Sequence, residues 1–195
     1  MPREEEKTLV LIKPDGVKRG LIGEVISRIE KRGLKIVALQ MVWPTKEQID
    51  GHYPKDKAWI KRLGEKCLAT YLKYGLDPKR ELGTDDPEII GQMVRRWLID
   101  FLTSGPIVKM VISGIHAIEM VRKIVGPTNP ALAEMGTIRG DFSVDSAVAA
   151  NREKRAIHNI IHASETPKEA QHEIGFWFAP EEIFDYKRAE EDIMF

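Results

Sequence analysis

Four short apolar runs punctuate this chain, and the stretches between them switch to a helical period, which limits the fold to a layered class of strands and helices. Residues 7 to 13, Lys-Thr-Leu-Val-Leu-Ile-Lys, carry β-branched members and close on Pro14-Asp15-Gly16, so they read as a buried strand ending in a turn. Residues 34 to 43 repeat the pattern before Pro44, and residues 107 to 112 repeat it after Gly105-Pro106. The fourth run, Asn159-Ile160-Ile161-His162, is a strand that ends on a histidine. After the first run, Leu21, Ile22, Val25, Ile26 and Ile29 share one helical stripe opposite Arg28, Glu30 and Lys31, with Gly33 as the stop. Thr45-Lys46-Glu47-Gln48 supplies a cap and first turn for a short helix reaching Tyr53. Asp86-Pro87-Glu88 opens a long helix that ends at Gly105-Pro106, and Ile118, Val121, Ile124 and Val125 mark another.

The resulting order, strand-helix-strand-helix-strand-helix-loop-strand-helix, resembles a ferredoxin-like βαββαβ core, an α+β fold with a four-stranded antiparallel sheet and surrounding helices. At 195 residues the chain suits a single domain, 1–195, able to bury a sizeable core. Its 30 basic and 30 acidic residues cancel, so no overall field attracts nucleic acid or an anionic membrane, and anion binding has to come from local clusters. Cys67 is the single cysteine and has no internal partner for a disulfide, and the charged start lacks a secretory pattern, which predicts a cytoplasmic protein. No apolar run approaches the roughly 18 residues of a membrane span.

His162 stands beside Ala163 and a helix start in which Ser164 or Thr166 caps and Pro167 takes the first turn. An imidazole is largely neutral, hence nucleophilic, at neutral pH, and a helix N-terminus favours negative charge, so this position suits phosphoryl capture. His158, His162 and His172 also raise a zinc reading. On a strand, however, residues four apart lie about 13 Å from each other, which excludes a shared ion.

Four motifs in order carry a resemblance: Ile12-Lys13-Pro14-Asp15-Gly16-Val17, Gly126-Pro127-Thr128-Asn129-Pro130, Gly136-Thr137-Ile138-Arg139-Gly140-Asp141-Phe142 and Asn159-Ile160-Ile161-His162-Ala163-Ser164. Together with Ser104-Gly105-Pro106 and Glu173-Ile174-Gly175-Phe176-Trp177-Phe178, the chain resembles the nucleoside diphosphate kinases. The resemblance implies a ping-pong transfer of the γ-phosphoryl group from a nucleoside triphosphate to a nucleoside diphosphate through phosphohistidine at His162. It implies that Glu173 orients the imidazole, that Ser164 steadies Glu173, and that Lys13, Arg122 and Arg139 converge on the phosphates. Thr128 and Tyr53 would add hydroxyls, and Asn159 would bind the sugar. Val94 and Leu98 join the nucleotide-binding set. Mg²⁺ is expected with the nucleotide, held by phosphates and water rather than mainly by protein, with Glu165 as an outer contributor. A homo-oligomer, a hexamer by preference, is the implied assembly.

The chain departs from the family pattern by two insertions, at about 54–85 and 145–157. Alignment puts Val94 and Ala156 where the family holds the base between an aromatic and an aliphatic residue. The inserted segments then either rebuild that slot, with Tyr71, Tyr74 or Trp97 as stacking partners, or only decorate the surface. Two rival functions are weaker. An RNA-binding sheet needs alternating aromatics, and Ile138-Arg139-Gly140-Asp141-Phe142-Ser143-Val144 offers only Phe142. A catalytically weak relative, serving as an oligomeric nucleotide-binding or scaffold protein, would show a lost site residue, and none is missing.

Overall fold

In the computed structural model, which describes residues 5–189 and 191–194, the first run is β1 (Glu6–Ile12). Pro14-Asp15-Gly16, expected to be a turn, instead begins a short helix, α1 (Pro14–Lys18), because proline at its first position is already set to the helical φ. The amphipathic stripe forms α2 (Ile22–Lys31), with Val25 and Ile29 buried, and the second run forms β2 (Lys35–Val42). Thr45 and Gln48 cap α3 (Lys46–His52) reciprocally, as their spacing predicts.

Residues 54–85, which read as helical fragments without a repeat, are largely helical. They hold α4 (Lys57–Lys73), capped by Asp56, and α5 (Pro78–Leu82), capped by Asp77. The long helix follows as α6 (Pro87–Leu102), its first turn capped by Asp86, and β3 (Ile107–Gly114) is buried along its whole length. After α7 (Ala117–Val125), the expected loop contains α8 (Ile138–Phe142) and α9 (Ala147–Arg152). Then come β4 (Ile161–Ala163), α10 (Pro167–Trp177), and a terminal turn, α11 (Glu191–Met194). Thr166, not Ser164, caps α10 by accepting from the Glu169 N–H at 3.2 Å.

The four strands form one antiparallel sheet in the order β2-β3-β1-β4, the ferredoxin-like arrangement. Helices cover both faces, so the central strands read as continuous apolar runs rather than alternating ones. On one face Val10, Ile12, Met110 and Ile112 pack with Val25 and Ile29 of α2 and Val121 of α7. On the other, Leu9, Leu11 and Val111 pack with Ile49 of α3, Leu102 of α6 and Trp177 of α10. Strand alternation sends Ile161 and Ala163 to the first face, where they join that core, and His162 to the second, among α3 and α10.

Two glycines let α4 lie directly on α6. A Cβ on Gly64 would stand 1.8 Å from the Pro87 carbonyl oxygen, and one on Gly91 would stand 2.0 Å from that of Ile60. The contact closes a small core of its own, Cys67, Tyr71, Leu82 and Ile90, flanked by Val94 and Trp97. The Tyr71 hydroxyl then donates to the Asn151 carbonyl at 2.9 Å, which ties α4 to α9.

Candidate functional site

His162 is held by a chain of hydrogen bonds that begins in the sheet. The Leu9 N–H donates to Ser164 Oγ at 3.2 Å, and that hydroxyl donates to Glu173 Oε2 at 2.7 Å. Both carboxylate oxygens face His162 Nε2, at 2.8 and 3.0 Å. Burial alone would raise the Glu173 carboxyl, but the His162 and Ser164 hydrogen bonds and the neighbouring imidazoles outweigh it, so Glu173 is held below the usual carboxylate range. An ionised Glu173 takes the Nε2 hydrogen and leaves the lone pair on Nδ1, which no hydrogen bond engages among the described residues.

The turn before β4 departs from the expected strand. Ile161 N–H bonds back to the Asn159 carbonyl at 2.7 Å, and Ile160 between them has φ 71°, a γ-turn with a β-branched residue in a conformation such residues rarely adopt. Tertiary bonds fix it: Ile160 N–H donates to Asp15 Oδ2 at 2.9 Å, and its carbonyl accepts from Lys13 N–H at 2.7 Å. His162 is therefore the middle residue of a three-residue strand rather than its last. The turn also swings Asn159 out of the strand line to meet Lys13.

One contributor had no signal in the sequence. His52, the last residue of α3, is buried with its ring centroid 5.3 Å from that of His162, edge to face. Its Nδ1 accepts from the Trp177 indole N–H at 3.2 Å, so its hydrogen sits on Nε2, which points toward Glu173 Oε1 at 3.8 Å. Burial, more than any neighbouring group, pushes the His52 imidazole down to about 3. It is a neutral partner to the carboxylate.

A cavity of about 240 Å³ opens in front of His162 and is bounded by Lys13, Tyr53, Arg122, Thr128 and Arg139 as well as by Asn159. Lys13 Nζ donates to Asn159 Oδ1 at 2.7 Å, and Asn159 Nδ2 donates to the Thr128 carbonyl at 2.7 Å. Burial, together with the Arg139 charge, brings the Lys13 ammonium down to about 7. Arg139 is buried and fastened to three carbonyls, those of Gly126, Asn159 and Ile161, at 2.7, 3.3 and 2.6 Å. Burial, with Arg122 nearby, lowers it to about 10. Arg122 is more open and pairs with Glu165 at 3.2 Å. Tyr53 stacks on Trp59 at 5.9 Å between centroids, and burial raises its phenol. Leu98 completes the inner wall.

Val94 lies not here but in a second cavity, of about 350 Å³, joined to the first through Lys13, Leu98, Thr128 and Asn159. Trp97 and Ala156 line it too. Tyr71 does not stack there, because packing between α4 and α6 buries its ring in the small core and its hydroxyl is bonded to Asn151. Tyr74 is exposed at the end of α4 under Lys73, away from both cavities.

The histidines of the zinc reading are scattered: His158 stacks on Phe101 at 4.7 Å between centroids, and His172 is exposed. A different trio, His52, His162 and Glu173, has ligand-type atoms within 4.8 Å of one another. Glu173, His162 Nε2 and His52 Nδ1 are already committed to the hydrogen bonds above, an arrangement that positions protons. Carboxylates that reach the cavity mouth, Glu165 and Glu169, are few against three cations, a donor set fitted to a metal that arrives with phosphates. No helix among the described residues is long and apolar enough to cross a membrane.

Comparison with known proteins agrees with this geometry. The nucleoside diphosphate kinase family model matches residues 6–63 and 89–183. A nucleoside diphosphate kinase of Pyrobaculum aerophilum is 52% identical over 180 residues, 92% of this chain and 98% of the relative, and one of Archaeoglobus fulgidus is 39% identical over 187 residues, 96% and 95%. Among solved structures, an NDP kinase from Pyrobaculum aerophilum superposes with a TM-score of 0.91 at 49% identity, covering 93% of this chain and all of that one. A transition-state mimic of the Borrelia burgdorferi enzyme, with bound vanadate and ADP, gives 0.77 at 37% identity, covering 96% and 95%.

Proposed function

The chain belongs to the nucleoside diphosphate kinase family, and on that footing we propose that it moves a γ-phosphoryl group between nucleotides through phosphohistidine at His162. The observation that carries this reading is the commitment of Nε2 to Glu173, which leaves Nδ1 as the nucleophilic atom beside three cations. The Nδ1 lone pair attacks the γ-phosphorus, the bond to the bridging oxygen breaks, and the nucleoside diphosphate leaves. A second diphosphate then reverses the step with its own terminal oxygen. Glu173 receives the positive charge that develops on the ring, and Ser164 keeps the carboxylate in line.

Lys13, Arg122 and Arg139 supply charge for the phosphates, Thr128 and Tyr53 add hydroxyls, and Asn159 binds the sugar. Leu98 and Val94 belong to the wall that meets the base. Phosphoryl transfer of this class uses a divalent cation, here read as Mg²⁺, which shields the phosphate charge when bound. Glu165 and Glu169 would hold it at the mouth through water. We read residues 1–195 as one domain with insertions at about 54–85 and 145–157, in a cytoplasmic homo-oligomer, a hexamer by preference. The exposed Leu39 and Met41 on edge strand β2, with Trp43 just after it, support assembly. A scaffold role is not favoured, since every residue of the site is in place.

Initial rates with ATP and a second diphosphate varied together test the reading. Parallel double-reciprocal lines are expected, and intersecting lines would indicate direct transfer without an intermediate.

A further inference from the structure

The second cavity lies beside the phosphate site, and its outer wall is made by α4 and α9, which fall in the two stretches read as insertions. A nucleotide with its phosphates at Lys13 and its sugar at Asn159 continues into this space, because both residues line the two cavities. The inner wall, Val94, Trp97 and Ala156, is apolar and suits the flat faces of a base. The outer wall comes from α4 and α9, which Gly64, Gly91 and the Tyr71 hydrogen bond hold in place.

Three cations border this cavity, and two are committed. Lys13 is bonded to Asn159, and Arg155 is neutralised by Asp145 at 2.6 and 3.0 Å and by Glu153 at 2.6 Å. The Lys66 side chain of α4 makes no hydrogen bond or ion pair among the described residues and stands exposed at the rim. One turn on, the Thr70 hydroxyl donates to the Lys66 carbonyl at 3.0 Å. Its hydrogen is spent, so Thr70 offers no second donor.

Resting on the proposed function, which places the nucleoside base in this cavity, we propose that Lys66 makes it select bases with a carbonyl on the reading edge. Guanine presents O6 and N7 as acceptors and uracil presents O4, whereas adenine and cytosine place an amino group at the corresponding position. An ammonium at that position donates to O6 or O4 in the first pair and meets an amino group in the second, while N7, an acceptor in both purines, does not discriminate. Lys66 is a specificity residue, with no part in the transfer to His162.

The test measures affinities of GDP, ADP, UDP and CDP by calorimetry, together with discharge of the phosphorylated enzyme by each, for the wild type, Lys66→Met and Lys66→Arg. The wild type should favour GDP over ADP and UDP over CDP by roughly five- to tenfold, the scale of one charge-assisted hydrogen bond near solvent. Lys66→Met should bring both ratios close to one while ADP and CDP change less than about twofold, and Lys66→Arg should keep the preference. Equal affinities in the wild type, or ratios untouched by Lys66→Met, would overturn the assignment. The affinity ratios are independent of transfer: if no phosphohistidine forms, the proposed reaction fails, and the ratios still decide the base pocket.

Discussion

Glu173 holds His162 by one nitrogen only: both carboxylate oxygens lie within 3.0 Å of Nε2, and Nδ1 is left to the cavity. The pair thus fixes which tautomer is present and which atom reacts. Replacing Glu173 by glutamine keeps the shape but offers an N–H to Nε2, which drives the ring hydrogen to Nδ1. Phosphorylation of His162 in Glu173→Gln should slow by roughly 10²- to 10⁴-fold with little change in nucleotide affinity, as rapid-quench single turnovers would show.

With Lys13 assigned to the phosphates as proposed, nucleotide binding should depend on pH. In the folded chain Lys13 sits near 7, well under the ordinary lysine value of 10.5, because burial and Arg139 disfavour its charge. Between those values the unfolded chain binds more protons, so this residue's contribution to stability rises with pH across that window and its full penalty is felt below 7. Phosphates restore the charge, so binding takes up a proton. ADP affinity should fall as pH rises from 7 to about 9, by at most about tenfold per unit, and Lys13→Met should abolish that slope. Calorimetry in buffers of different ionisation enthalpy measures the proton uptake directly.

His52 and Glu173 set the acid limit of the fold. Both are depressed in the folded chain, so the stability they contribute is complete above their ordinary values and is lost as pH falls toward their folded ones. For His52 the window runs from ordinary histidine titration down to about 3. In His52→Gln the side-chain carbonyl still accepts from Trp177. Denaturant unfolding at a series of pH values should show a flatter loss of stability below pH 6 in this variant.

Gly64 and Gly91 should prove intolerant of a methyl group. Alanine at either position drives Cβ into a carbonyl oxygen of the facing helix, at 1.8 or 2.0 Å, so α4 must lift from α6. Each substitution should cost about 1–3 kcal/mol where α4 is held. Hydrogen exchange should accelerate in α4 while β1, β3 and β4 keep their protection and His162 is still phosphorylated.

Much of this could be read from the chain because it is local. The strands announce themselves by apolar runs, the caps by Thr45, Asp86 and Thr166, and the site by short motifs around Lys13, Arg139 and His162. What escaped is non-local. Ile160 reads as strand because it is β-branched, yet Asp15 and Lys13, far away in the chain, bend it to positive φ. His52 carries no mark at a helix end, and its meaning comes from Trp177, 125 residues later. Tyr71 looked like a stacking residue when α4 was considered alone. Its hydroxyl bond to Asn151 shows it instead as the link between α4 and α9. The tyrosine's burial follows from a helix contact that two glycines make possible, and no local pattern encodes it.

The central claim is that His162 carries the phosphoryl group on the nitrogen that Glu173 leaves free. Intact mass and phosphorus NMR after brief incubation with ATP and Mg²⁺, for the wild type and His162→Ala, test it most directly. One acid-labile phosphoryl group is expected, bonded at Nδ1, absent from His162→Ala and discharged by a second nucleoside diphosphate. A wild type that gains no phosphoryl group, or gains one that persists in His162→Ala, would contradict it.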